Sequence, residues 1–462
     1  MTTNWTDKNI LIIGAARQGL ALARYLAKHG AKVTLNDKRM PHELQKEQDS
    51  LKDIEVEWML GAHFSSLLKG KDLVCLSGGI PLNLPMVRDA QRRKIPLSND
   101  TQIFLEAVPC RTIGITGSAG KTTTTTLVGR MAKEAYRKTE NKVWVGGNIG
   151  DPLINYVDEM KDDDLAILEI SSFQLEQMSL STDIAAVLNV TPNHLDRHGT
   201  MEAYTAAKAR LLENQKSGSI AIIGRDDEGA SAMRSLSPGK MLTFGSKPLH
   251  ASDSGTYPLN DYIYFRDDRM DIPLVSAEAI HLRGEHNLSN ILAAAVIGFV
   301  AGFSPKAMEA ALKDFYGVDH RLELVRKYKD VAWYNDSIAT APERTMAAVR
   351  AFDEPIVLML GGRDKKLPWG KLAELIRQRV DHVVLFGEAA QKIAVAMGGS
   401  RANERPYTIS HCIGLEDAVK AAESVAEKGD VVLLSPGGTS FDEFKDFAER
   451  GESYRKWVQE LS

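Results

Sequence analysis

Gly117-Ser118-Ala119-Gly120-Lys121-Thr122-Thr123 lies between the apolar run Arg111 to Thr116 and a helical pattern. A glycine-bearing turn in that context points backbone N–H groups and a helix N-terminus at an anion. Lys121 adds the charge that phosphate oxygens need, and Thr122 is placed to ligate magnesium. The spacing departs from G-x-x-x-x-G-K-[ST] at one place, because Ile115 holds the first glycine position. Two further runs aim chemistry at the same edge. Leu165 to Leu168 ends in Glu169, where a nucleotide-bound magnesium needs a carboxylate, and Ala185 to Val190 delivers His194 into the loop Thr191 to Arg197.

Met201 to Asn214 reads as a helix with Tyr204, Lys208, Leu211 and Leu212 on one face, which puts Lys208 within the apolar stripe. Burial lowers a lysine pKa, and a neutral amine can take up carbon dioxide as a carbamate, an added carboxylate for a second metal. The alternative is a lysine whose head reaches solvent from an apolar stem. Near the amino terminus, Gly14-Ala15-Ala16-Arg17-Gln18-Gly19 resembles a dinucleotide turn with alanine at its middle glycine, and Asp37 ends the following strand. That pattern speaks for a nucleotide and does not separate NAD from UDP.

Elements that position these residues recur as short apolar runs alternating with helical patterns, the signature of parallel α/β units. A chain of 462 residues, 44% hydrophobic, divides on size into roughly three domains. The first block carries runs at Asn9 to Ile13, Lys32 to Asn36 and Leu73 to Leu76, and reads as a Rossmann-like unit. The second runs from Arg111 to the helix with Asn287 and Asn290. The third carries Val331 to Asn335, Ile356 to Leu360, His382 to Phe386 and Val431 to Leu434, a second doubly wound sheet. Ser252 to Tyr257 and Arg266 to Arg269 read as hairpins or loops.

A formal charge of -4, without a basic stripe or tail, argues against nucleic acid and anionic membrane as partners. Cys75, Cys110 and Cys412 are scattered and odd in number, so neither a disulfide framework nor a zinc site is expected, and a reducing cytoplasm fits. The amino terminus does not read as a signal peptide, and Ile291 to Phe303 is too short to span a bilayer.

Taken in order, Thr116 to Thr123, Val145 to Gly150, Glu169 to Glu176, Asn189 to Thr191 with His194 to Arg197, and His286-Asn287 with Asn290 resemble the Mur ligases over essentially the whole chain. The stretches Ser171 to Glu176, Asn335-Asp336-Ser337 and Phe441 to Phe447 with Arg450-Gly451 are most similar to the members that add D-glutamate to a UDP-linked muramoyl-alanine. The resemblance implies an α/β chain of three domains: a Rossmann-like UDP-substrate domain at residues 1–102, a P-loop-type ATPase at 103–317 and a Rossmann-like amino-acid domain at 318–462. It also implies ATP and magnesium as cofactors, an acyl-phosphate intermediate and a monomer.

Residue by residue, the resemblance gives Gly117 to Thr123, with Asn287, Asn290, Arg321 and Asp336, to ATP. Thr122 and Glu169 go to one metal, and His194 with carbamylated Lys208 to a second. Arg17, Gln18, Asp37, Arg39 and Ser77 match uridine-diphosphate contacts, and Asn148, Ser171 and Gln174 match positions near the muramoyl-alanine arm. Thr340, Lys365, Ser440 and Phe447 match the glutamate pocket. Ile338 departs from the family, which often carries lysine there, and Lys366 competes with Lys365 for the pocket. The rivals are a folate polyglutamate ligase within the superfamily and, outside it, an NAD-binding oxidoreductase or nucleotide sensor built on the first block.

Overall fold

The computed structural model describes residues 3–250, 252–267, 270–398 and 404–462. They form three sheets in two compact units, Met1–Ile280 with Ser289–Lys313, and His281–Leu288 with Asp314–Ser462. Each sheet rests on short runs of valine, isoleucine and leucine buried on both faces, as parallel strands covered by helices require.

In the larger unit the first sheet joins β1 (Asn9–Ile13), β2 (Lys32–Asp37), β3 (Glu57–Leu60), β4 (Leu73–Leu76) and β5 (Leu97–Ser98), all parallel, in the order β3-β2-β1-β4-β5. The order reverses between β1 and β4. A doubly wound sheet binds ligands outside the carboxyl ends of its strands at such a reversal. Helix α1 (Arg17–Lys28) leaves β1 through Gly14, whose φ of +99° suits glycine, and Gly19 lets the helix approach so closely that a Cβ there would meet the Gly14 carbonyl oxygen at 1.9 Å.

The second sheet holds β6 (Arg111–Thr116), β7 (Val143–Gly147), β8 (Leu165–Glu169), β9 (Ile184–Val187), β10 (Ile220–Gly224) and β11 (Lys240–Phe244), parallel in the order β11-β10-β9-β6-β8-β7. Its far edge is extended by β12 (Gly255–Leu259), β13 (Tyr262–Asp267) and β14 (Met270–Ser276), the last two pairings antiparallel. Of the segments expected as hairpins or loops, residues 252–254 lead into β12, residues 255–257 and 266–267 are strand in β12 and β13, and Asp268 and Arg269 lie outside the described residues. Because β6 lies between β8 and β9, the turns after all three open on one edge. Helices α2 (Asp100–Ala107), α3 (Lys121–Ala135) and α4 (Met201–Glu213) belong to this unit, and α4 buries Tyr204, Lys208, Leu211 and Leu212 as its period requires.

The smaller unit carries β15 (Glu323–Tyr328), β16 (Val331–Asn335), β17 (Ile356–Gly361), β18 (His382–Phe386), β19 (Thr408–His411) and β20 (Val431–Gly437), in the order β15-β16-β20-β17-β18-β19. Only β15 pairs antiparallel. The turns after β16, β17 and β20 are neighbours, and the terminal helix α5 (Phe447–Glu460) starts beside them. Among the described residues no helix is long and apolar enough to cross a membrane.

Candidate active site

The turn after β6 is built by hydrogen bonds to the loop after β9. Ser118 N–H donates to the Asn189 carbonyl at 2.9 Å, and the Asn189 side chain accepts from Ala119 N–H at 2.8 Å and donates to Ala119 O at 3.1 Å. Ser118 Oγ donates to Thr191 O and accepts from Thr191 N–H, both at 2.9 Å, which leaves the Tyr204 hydroxyl to donate to Ser118. Gly120 has φ +81° and lies against Asn290, whose Oδ1 would be 2.1 Å from a Cβ. Only glycine meets both conditions.

Two lysines converge on this turn. Lys121 Nζ donates to the Gly117 carbonyl at 2.8 Å, and Lys208 Nζ donates to the same oxygen at 2.9 Å and to Thr116 Oγ1 at 3.4 Å. Lys208 is 1% exposed, with its ammonium 4.7 Å from the Tyr204 ring centroid. Burial, reinforced by the charge of Lys121, pushes its pKa well below the usual lysine range. The apolar stripe on α4 therefore carries a buried lysine and not one that reaches solvent.

Glu169 faces this turn from the next strand, paired in register with Ile115. One carboxylate oxygen accepts from Asn148 Nδ2 at 2.9 Å, and the other, Oε2, is buried without a hydrogen-bond partner. An orphaned buried carboxylate oxygen beside a phosphate loop fits a cation ligand. Asn148 also touches the first sheet's domain, since its carbonyl accepts from Arg17 at 3.3 Å. Thr122 occupies the second position of α3. His194 stands exposed at φ +54°, before the turn Leu195–His198, with its ring 5.1 Å from Phe173.

At the reversal of the first sheet, both oxygens of Asp37 have partners. They accept from Ala15 N–H at 2.8 Å and from Arg39 N, Nε and Nη2 at 2.9 to 3.1 Å. Burial alone would raise the Asp37 pKa, but these bonds hold it at about 2. A dinucleotide ribose needs this carboxylate as a free acceptor; here it fixes Arg39 instead. Gln18 Oε1 accepts from Gly78 N–H at 3.2 Å, and Ser77 packs beside Gly14. Ser171 and Gln174 form a capping box, with the Gln174 amide also donating to Thr101 at 2.7 Å.

In the smaller unit, Lys365 Nζ donates to Thr340 Oγ1 at 3.3 Å, and the partly desolvated ammonium, facing Arg344 and Arg450, has a lowered pKa. Ser440 is 2% exposed and Phe447 37% exposed at the start of α5. Asp336 is buried, accepts from Ser435 Oγ at 2.7 Å and Leu322 N–H at 3.3 Å, and is raised by burial to about 7 despite Arg321 and Arg344. Asn287 lies in the same unit and donates to Arg283 O at 2.8 Å. Lys366 adopts φ +60° in an exposed position.

Sequence reasoning left Arg450 out of the site. Its guanidinium is fully buried, donating to Ser337 Oγ at 2.9 Å, Ser337 O at 2.8 Å and Gly438 O at 3.2 Å, so it ties the turn after β16 to the turn after β20. The sequence places Arg450 with Gly451 in a family-like stretch but gives it no role, and its burial on the inner face of α5 is what the structure adds.

A phosphate loop with a buried second lysine and an orphaned strand-end carboxylate, in a chain of three α/β sheets, defines a nucleotide-using enzyme of the P-loop kind. The chain belongs to the Mur ligase family. The family's "Mur ligase MurD-like, N-terminal domain" matches residues 8–99, its "Mur ligase middle domain" 115–298 and its "Mur ligase, glutamate ligase domain" 320–438. Among curated relatives, the UDP-N-acetylmuramoylalanine–D-glutamate ligase of Koribacter versatilis is 38% identical, with 98% of each chain covered. The enzyme of that name from Symbiobacterium thermophilum is 36% identical over the same shares. The MurF ligase of Thermotoga maritima, solved in complex with ADP, has the same fold at a TM-score of 0.57 and 17% identity, with both chains covered in full.

Proposed function

We propose that this chain is an ATP-dependent ligase that joins D-glutamate to UDP-N-acetylmuramoyl-L-alanine, through an acyl phosphate, in peptidoglycan precursor synthesis. The observation that carries the reading is full-length similarity, at 35 to 38% identity, to curated enzymes named for that reaction. The phosphate loop, with Lys121 and Lys208 on one carbonyl, agrees with it.

In this reading the residues 1–102, 103–317 and 318–462 bind the UDP-linked substrate, ATP and the amino acid, respectively. The alanyl carboxylate attacks the γ-phosphate and expels ADP to give an acyl phosphate, and the glutamate amine then displaces phosphate from the acyl carbon. The turn Gly117 to Thr123 cradles the phosphates and Lys121 follows the charge as it moves to the transferred group. Asn287, Asn290, Arg321 and Asp336 are read as contacts to the nucleotide. Magnesium, when bound, neutralises phosphate oxygens and supports the developing charge. Thr122 and Glu169 would hold one ion, and His194 with Lys208, once carbamylated, would hold a second.

Arg17, Gln18, Arg39 and Ser77 receive the diphosphate and uridine, with Asp37 fixing Arg39; Asn148, Ser171 and Gln174 line the muramoyl-alanine arm. Lys365 with Thr340, and Ser440 with Phe447, take the glutamate carboxylates and chain. The protein works as a cytoplasmic monomer.

Phosphate release from ATP, measured with UDP-muramoyl-alanine and a panel of amino acids of both hands, tests the reading. Release that requires D-glutamate is expected. Release driven by a folate substrate, or none with any amino acid alongside nicotinamide-cofactor binding, would refute it.

A further inference from the structure

His198 has a polar neighbour at each ring nitrogen: a hydrogen bond at Nε2, and at Nδ1 a close carboxylate without hydrogen-bond geometry. Its Nε2 stands 2.9 Å from Ser172 Oγ and its Nδ1 2.8 Å from Glu176 Oε1. Serine, histidine and glutamate at such distances resemble a hydrolytic triad, but the His198 side chain is 0% exposed and Ser172 is 3% exposed. No substrate reaches them. The arrangement instead joins the helical turn Ser172–Leu175 to the turn Leu195–His198.

The faces of the ring are engaged as well. His198 stacks on Phe173 at 5.2 Å with 8° between planes and meets the Tyr204 ring edge-on at 5.1 Å. The Phe173 ring also meets His194 at 5.1 Å and carries the Arg197 guanidinium at 4.1 Å. Arg197 continues to the carbonyls of Gly79 and Ile80 at 3.2 and 3.3 Å, on the turn after β4. His194 sits at φ +54°, a conformation that a non-glycine residue keeps only where its surroundings impose it, and His198 N–H donates to His194 O at 3.0 Å.

We propose that His198 is a positioning residue that, through Ser172, Glu176 and Phe173, fixes the turn bearing His194 and Arg197 and so sets the geometry of the second cation site. The inference rests on the reading of His194 as a metal ligand. Groups that orient a ligand in this way change metal affinity by roughly 10- to 100-fold when removed.

Manganese binding to the ADP-loaded enzyme, followed by electron paramagnetic resonance, reads the effect without turnover. His198→Phe keeps the stack and removes the Ser172 hydrogen bond and the close approach to Glu176; it should weaken manganese binding roughly tenfold with glutamate KM unchanged. Because His198 acts through His194, the double variant His194→Ala/His198→Phe should bind manganese no more weakly than His194→Ala alone. Should His198→Phe fail to fold, Ser172→Ala, which leaves the ring stack in place, should shift binding in the same direction. Affinity within twofold of the unsubstituted enzyme, or additive losses in the double variant, would overturn the proposal. Unchanged affinity in His194→Ala alone would sink the metal-ligand reading beneath it.

Discussion

Lys121 and Lys208 donate to one backbone oxygen, the carbonyl of Gly117, at 2.8 and 2.9 Å. Two ammonium groups so close repel, and the buried one loses more hydration by staying charged. Lys208 is that one, and its pKa falls for both reasons. The pair therefore sets beside Lys121 a buried amine that holds its proton less tightly than an ordinary lysine does.

Lys121→Ala should lower turnover on the order of 10³-fold or more, as loss of a phosphate-loop charge does when nothing replaces it. Initial rates of phosphate release check this. A variant that keeps more than roughly a tenth of the native rate would remove Lys121 from the transition state.

Lys208→Ala should abolish ligation while leaving fold and ADP binding in place, and acetate should restore part of the rate by standing in for a carbamate. Native activity should also fall when bicarbonate is stripped from the buffer. A structural lysine would show a lower melting temperature, no rescue and no bicarbonate dependence.

Lys365→Ala should raise the glutamate KM roughly 10- to 150-fold and leave the ATP KM nearly unchanged, since a hydrogen bond to a charged group contributes about 1.5 to 3 kcal/mol. The 3.3 Å contact with Thr340 favours Lys365 over the neighbouring Lys366. Steady-state kinetics of Lys366→Ala serves as the control, and a larger glutamate KM effect there would reassign the pocket.

The parallel strands were legible because burial on both faces leaves unbroken apolar runs, and β1, β6 and β8 each end at the residue type that gave them away, Gly14, Gly117 and Glu169. Strand β3, with the alternating exposed pattern Glu57–Leu60, and the two-residue β5 gave no such run. The period of α4 placed Lys208 in the core, but no period could show that it shares an acceptor with Lys121, since that contact spans 91 residues of sequence. Arg450, which the sequence offers only within a family-like stretch, is given no role there for the opposite reason. An arginine on a helix is ordinarily a surface residue, and its burial follows only from the meeting of two turns distant in the chain.

Asp336 supplies a prediction about pH. Its carboxyl has a pKa of about 7 in the folded chain against 3.8 for the free group, because burial outweighs the bonds from Ser435 and Leu322 and the charge of Arg321. Over that window the folded state binds more protons than the unfolded one, so this group's contribution to stability is complete below about pH 4 and is lost as pH rises through about 7. Asp336→Asn has no such titration. Denaturant melts of the two proteins from pH 5.5 to 8.5 should therefore show the native chain losing stability relative to the variant by up to ~1.4 kcal/mol per pH unit below pH 7, with the difference levelling off above about pH 8. An unchanging difference across the range would mean that Asp336 is already ionised at pH 5.5, and that the buried carboxylate is stabilised by more charge than Arg321 and Arg344 provide.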